Sequence, residues 1–185
     1  MLNTIKQRFR DMGTIKALCF GAEKMANADG QKEPGAEHFV LAALELPDGT
    51  ARKAFERVHA DPDSFRAAIA RQYEDALQNI GIALPSEAAI VDEARAIAAG
   101  TGLYKAQPSA DSLMQTLARD IMVQEHKADP AAPLFGAHVI LAATAAQYSV
   151  AVRAFRAMGV DPAKLAEAAK AEILAKRMHE RSTTL

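Results

Sequence analysis

The chain has 185 residues, is 50% apolar and carries a formal net charge of −1, so it is long enough to bury a real core but has no global field to draw it to nucleic acid or an acidic membrane. Its one cysteine, Cys19, cannot form an internal disulfide. No apolar run approaches the ~20 residues needed to cross a bilayer, and residues 1–20 lack a signal-peptide core, which leads us to expect a cytoplasmic protein.

In chain order, the first predicted helix covers residues 14–27, with Cys19 among its apolar positions as a small hydrophobe. Ahead of it, Lys6, Arg8 and Arg10 read as a solvated helix face. Residues 37–46 are almost wholly apolar, as expected of a short buried helix. Pro47-Asp48-Gly49 breaks the chain before a helix with Ala51, Ala54, Phe55 and Val58 on one face. Asp61-Pro62 then signals a helix over 62–79, the Asp accepting first-turn amide protons and the Pro filling the first helical position. A further helix is predicted over 85–99, with Ile90, Ala94 and Ile97 as its apolar stripe, followed by a Gly- and Pro-containing loop over 100–108. Helices over 109–127 and 138–146, a helix with Ala151, Ala154, Phe155 and Met158 on one face, and a final helix over 162–180 complete the chain. No stretch shows the period-two alternation of an exposed sheet, so the fold class is all-α.

The order of elements repeats. His38-Phe-Val-Leu41-Ala42-Ala43 recurs one hundred residues later as His138-Val-Ile-Leu141-Ala142-Ala143. Ala51, Ala54-Phe55 and Asp61-Pro62 recur in the same register as Ala151, Ala154-Phe155 and Asp161-Pro162. Two copies of one four-helix unit are therefore expected. The division is 1–80 for the first, 81–108 for the inserted helix and loop, and 109–185 for the second, all within one compact domain. Phe55 and Phe155 are assigned to the core.

The run Gly35-Ala-Glu37-His38-Phe-Val-Leu41-Ala-Ala-Leu44, with the Phe55 helix and the Asp-Pro start behind it, resembles the Clp repeat found at the N-terminus of Clp-type AAA+ unfoldases. Gly136-Ala-His138-Val-Ile-Leu141 and Phe155-Arg-Ala-Met-Gly159-Val160-Asp161 carry the resemblance into the second copy. It implies two four-helix repeats about a pseudo-twofold axis, with an additional helix between them. It also implies a non-catalytic module that docks proteins or peptides, its partners being a Clp unfoldase, an adaptor or their substrates. The sequence contains no Gly-x-x-x-x-Gly-Lys-Ser/Thr phosphate loop, so the expectation is a freestanding Clp repeat domain without an ATPase.

By the resemblance, the candidate peptide- or adaptor-binding residues are Glu37 and His38 in the first copy and Ala137 and His138 in the second. In one branch of the family the Glu of Glu-His helps bind phosphorylated arginine. Here Glu37 matches but its counterpart is Ala137, and the family's preceding Thr is Ala36, so arginine-phosphate recognition is expected to be weak or absent. Read from the residues alone, Glu37 is a favourable charge in a helix's first turn, and the two histidines are structural groups closing helix N-termini. His59, His126 and His179 are scattered on helix ends or faces, and Glu125-His126 has no partner in sequence. No metal, cofactor or catalytic motif is implied. The alternative is a small-molecule or metal-binding protein using the groove between repeats, which needs His38 and His138 to converge. A dimer built on the inserted helix is a third possibility; oligomeric state and partner identity stay open.

Overall fold

A computed structural model describes residues 2–79 and 105–182, with side chains placed from Arg10 onward except at 77 and 79. The described residues form eight helices and no strand, the all-α architecture expected. The predicted helix over 85–99 and its apolar stripe lie outside them, as does most of the loop that follows.

Helix α1 spans Leu2–Ala28, starting twelve residues before the predicted position. Thr14, where the predicted helix begins, lies inside α1, and its hydroxyl donates to the Arg10 carbonyl one turn back (3.2 Å), as mid-helix Thr side chains do. Helices α2 (Ala36–Leu44) and α3 (Thr50–Arg57) follow. Helix α4 (Ser64–Asn79) begins two residues after its Asp-Pro, because Asp61 accepts from the Asp63 amide and the Ser64 hydroxyl and closes a turn first. In the second copy the rule holds without delay. Asp161 accepts from the Ala163 amide at 2.9 Å, and the last helix, α8, runs Pro162–Ser182.

Helix α5 is built in three parts: α-helical Pro108–Gln115, a π-helical segment Thr116–Ile121, and α-helical Met122–Ala128. Ala110, Leu113, Leu117 and Met122 are its buried residues, and the last step, of five, is one that an α-helix alone does not keep on one side. Helices α6 (Gly136–Ala145) and α7 (Val150–Ala157) match α2 and α3 in register.

The apolar helices α2 and α6 lie against each other at the centre, and α1 covers α2. The last helix of each copy packs on the third helix of the other: α4 on α7, and α8 on α3. At this crossing Phe55, Phe65 and Phe155, all fully buried, form one cluster. Phe65 stacks on Phe155 with ring centroids 5.0 Å apart, and Phe55 meets both edge-on at 5.9 and 5.7 Å. Aromatic pairs at such distances add to the energy of burial, so Phe55 and Phe155 take the core role expected. Cys19 packs on the core but is only half-buried. Arg10 of the N-terminal basic stretch pairs with Glu180 at 3.3 Å on the surface.

Candidate functional site

An α-helix start leaves backbone N–H groups without partners, and the two copies meet this need with the same residue. In α2 the Nδ1 of His38 accepts the Gly35 N–H at 2.9 Å. In α6 the Nδ1 of His138 accepts the Phe135 N–H at the same distance. A ring that accepts at Nδ1 carries its proton on Nε2 and is neutral. Both rings are fully buried. Burial lowers the His138 pKa to about 4; Glu125 pulls it up and Arg177 pushes it down further, in that order of size. Nε2 of His38 faces Asp29 at 3.5 Å, and that of His138 faces Glu125 at 4.0 Å.

Around this shared device the copies diverge. Glu37 is 0% exposed. The Tyr73 hydroxyl, from α4, donates to its Oε1 at 2.6 Å, while Oε2 has no hydrogen-bond partner among the described residues. Burial, and then the bond to Glu37, raise the Tyr73 pKa, so its proton stays in place. The Glu37 carboxylate lies where a side chain at position 35 would go: a Cβ on Gly35 would stand 2.3 Å from Oε1. The second copy has Ala137 and Phe135 at the matching positions, with no carboxylate and no need for glycine.

The helix starts are also covered differently. The Gly136 and Ala137 amides donate to Asp48 Oδ2 at 3.0 Å and Thr50 Oγ1 at 2.9 Å, in the α2–α3 turn and at the start of α3 of the first copy. The contact is tight, since a Cβ on Gly136 would meet the Ala43 carbonyl oxygen at 2.9 Å. At α2 the Ala36 amide donates instead to Ser109 of α5, at 3.2 Å.

The largest difference concerns the last helix. In the second copy α8 packs closely along α6; its Arg177 pairs with Glu125, which faces His138, and its Arg181 pairs with Asp129 at 2.7 Å. In the first copy α4 barely touches α2. Among the described residues a cleft of about 490 Å³ lies between α4 and the segment that joins α1 to α2, lined by Asp29, Gln31, Arg66, Ile69, Ala70 and Tyr73. Arg66 binds Asp29 at 2.6 Å, and Gln107 donates to Gln31 at 2.8 Å from the start of α5.

Of the sequence-predicted site residues, Glu37, His38, Ala137 and His138 are all 0% exposed. The structure joins Glu37 and His38 in one buried group, and the Nε2 atoms of His38 and His138 face separate carboxylates. Among the described residues no group of three or more His, Cys, Asp or Glu is placed to hold a metal ion. The cleft residues were not singled out from sequence. Asp29 carried a signal, since Asp129 stands one hundred residues on, whereas Tyr73 carried none, its counterpart being Ile173. Glu125-His126 also gains partners: His126 reaches the Ala132 carbonyl at 3.2 Å and faces Asp11 at 3.9 Å.

Residues 17–126 match the family model of the Clp repeat (R) N-terminal domain. The chain belongs to this family. The match runs from the middle of α1 into the last turn of α5, and so contains the whole first-copy cleft. No curated protein matches the chain. Clp repeat domains are non-catalytic protein-interaction modules of Clp systems, and among the described residues no helix is long and apolar enough to cross a membrane.

Proposed function

We propose that this Clp repeat protein is a non-catalytic, cytoplasmic docking module that receives polypeptide partners of a Clp unfolding system in the cleft of its first repeat. The supporting observation is the difference between the copies: α8 closes on α6, while α4 stands off α2, and among the described residues a cleft lies between α4 and the α1–α2 connection. Clefts with mixed apolar and polar linings are the usual binding surfaces of folded domains. In this reading Glu37 and His38 shape the cleft from behind, through Tyr73 and Asp29, and Ala137 and His138 perform the matching task in the closed copy. The reciprocal packing of α4 on α7 and α8 on α3 supports the pseudo-twofold arrangement and the division into repeats 1–80 and 109–185 around 81–108. The burial of Glu37 beneath Tyr73 supports weak or absent recognition of arginine phosphate.

The test is capture of partners from native lysate by wild type and by Ala70→Trp, which fills the cleft from an exposed position of α4. Recovery of a Clp unfoldase, its peptidase or a defined client set by wild type, lost in the variant, is the expected result. Equal recovery by both places docking elsewhere, and recovery of none of these by either bait contradicts the docking reading.

A further inference from the structure

We propose that the α6–α7 turn of the second repeat, with the pocket beside it, is a surface on which two copies of this chain associate, the Tyr148 ring of each seated in the pocket of the other. This surface shares no residue with the first-repeat cleft, so the inference stands apart from the docking reading. Three observations carry it. The first is a turn without the task of its counterpart. In the first repeat the α2–α3 turn is tied into the chain: Asp48 accepts from the Gly136 amide and Thr50 from the Ala137 amide. One hundred residues on, these positions are Tyr148 and Val150, and the Ala36 amide of the other helix start is served by Ser109 instead. Tyr148 is 90% exposed, more than any other exposed large apolar side chain among the described residues. Single exposed apolar side chains are common; this one stands beside a pocket.

The second observation is that pocket. About 360 Å³ in volume, it lies between the end of α6, α7 and the start of α8, at the opposite end of α6 from His138. Leu141, Ala145, Val152 and Ala166 give it apolar walls, and Gln147, the neighbour of Tyr148, also lines it. In the first copy the matching positions hold a clip: Arg52 donates to the Leu44 carbonyl at 3.2 Å and pairs with Asp63 at 2.6 Å. The second copy has Val152 and Ala163 in their place, which cannot make it. The volume is near the lower end for binding pockets, about 300–1,000 Å³, and suits one aromatic ring.

The third is self-complementarity. Knob and hole are neighbours on one surface, so a twofold axis between them brings each knob to the other copy's hole, an isologous contact. The pocket carries both signs of charge, Arg156 and Asp161, and the same axis sets each against its opposite on the second copy. With a net charge of −1 per chain, bulk repulsion is small. Tyrosine is among the residues that most often anchor interfaces, and a patch of this size gives a weak dimer, of micromolar strength.

The experiment is sedimentation velocity of the full chain from about 1 to 300 µM, for wild type, Tyr148→Asp and Ala163→Asp. Each variant installs the first copy's own residue at an exposed position. Aspartate is also favourable in the first turn of α8, and matching thermal melts confirm the fold. The expected result is that wild type passes from monomer to dimer in this range and that either variant weakens the dimer at least about tenfold. Tyr148→Trp gives the chain its sole tryptophan, whose emission should shift to the blue as the dimer forms. A wild type that stays monomeric, or a dimer that neither variant weakens, overturns the inference. So does an indole that keeps the emission of an exposed ring in the dimer, which places the contact elsewhere. Growth beyond two copies overturns it as well, because an isologous contact closes at the dimer.

Discussion

The two repeats share a register, a capping histidine and a crossing of aromatic rings, yet one is closed and the other open. In the second, α8 lies along α6, Arg177 binds the carboxylate of Glu125 beside the cap, and the helix start is held by Asp48 and Thr50 of its neighbour. In the first, α4 stands off, a buried glutamate hangs from one tyrosine, and a cleft remains. The lesson is that duplication preserves what the backbone requires and frees what it does not. Both helix starts need their N–H groups satisfied, so His38 and His138 stay; the face between the second and last helices is free to close or to bind.

The largest effect on this comparison should come from what the copies share. Phe155→Ala removes the ring that both Phe55 and Phe65 contact, and a loss of about 3–5 kcal/mol is expected. Urea unfolding read by circular dichroism checks it. If the copies form one cooperative body, a single transition shifts; two separate transitions would break the comparison at its root.

Next comes the pair that distinguishes the helix starts. Gly35→Ala drives a Cβ into the Glu37 carboxylate and should cost about 1–3 kcal/mol, the usual penalty of overpacking. The Gly35 backbone is extended, with φ −94°, so alanine is not strained by conformation. In a double-mutant cycle Glu37→Ala should remove most of that penalty, because Phe135 sits at the matching position over Ala137 without difficulty. Additive losses would show that something other than the carboxylate demands glycine.

Titration sharpens the comparison from the closed side. The His138 pKa is lowered to about 4 from 6.5, so between these values the unfolded chain holds the proton and the folded chain does not. Stability is therefore full above about pH 6.5 and falls as the pH drops toward 4, by up to about 1.4 kcal/mol per unit from this one group. Unfolding measured across that window should show the slope, and His138→Gln should flatten it. An unchanged slope would mean that the ring is not held neutral.

Smaller still is Tyr73→Phe, which removes the hydroxyl that donates to Glu37. A loss of about 1 kcal/mol is expected, toward the lower end for a buried acceptor left unsatisfied because Tyr73 is itself half-buried. Glu37→Gln in the same background should recover part of it, since the amide no longer buries a charge. Failure of that rescue would argue against an uncompensated carboxylate.

Much of the fold was legible because the signals are local. The hundred-residue register, the apolar runs of α2 and α6, and the Asp-Pro starts placed the beginnings of α2, α4, α5, α6 and α8 to within two residues. The start of α1 was missed by twelve residues: Thr14, where the predicted helix begins, is bonded back into a helix already under way. The π-helical segment was missed because its five-residue step from Leu117 to Met122 depends on what α5 packs against. The site was less legible for the same reason. Glu37 is indeed in a helix's first turn, but its burial comes from Tyr73, thirty-six residues away. The cleft itself is made by a helix that does not pack where its counterpart does, and no local pattern announces an absence of contact.

The most direct test of an open and a closed copy is hydrogen–deuterium exchange of the full chain, comparing peptides from the middle of α4 with those from the middle of α8. Opening free energies follow tertiary packing. The account predicts that α4 amides around residues 66–76 exchange at least about tenfold faster than α8 amides around 166–176. Equal protection, or slower exchange in α4, would mean that the first copy is as closed as the second, and the cleft would lose its place as the docking site.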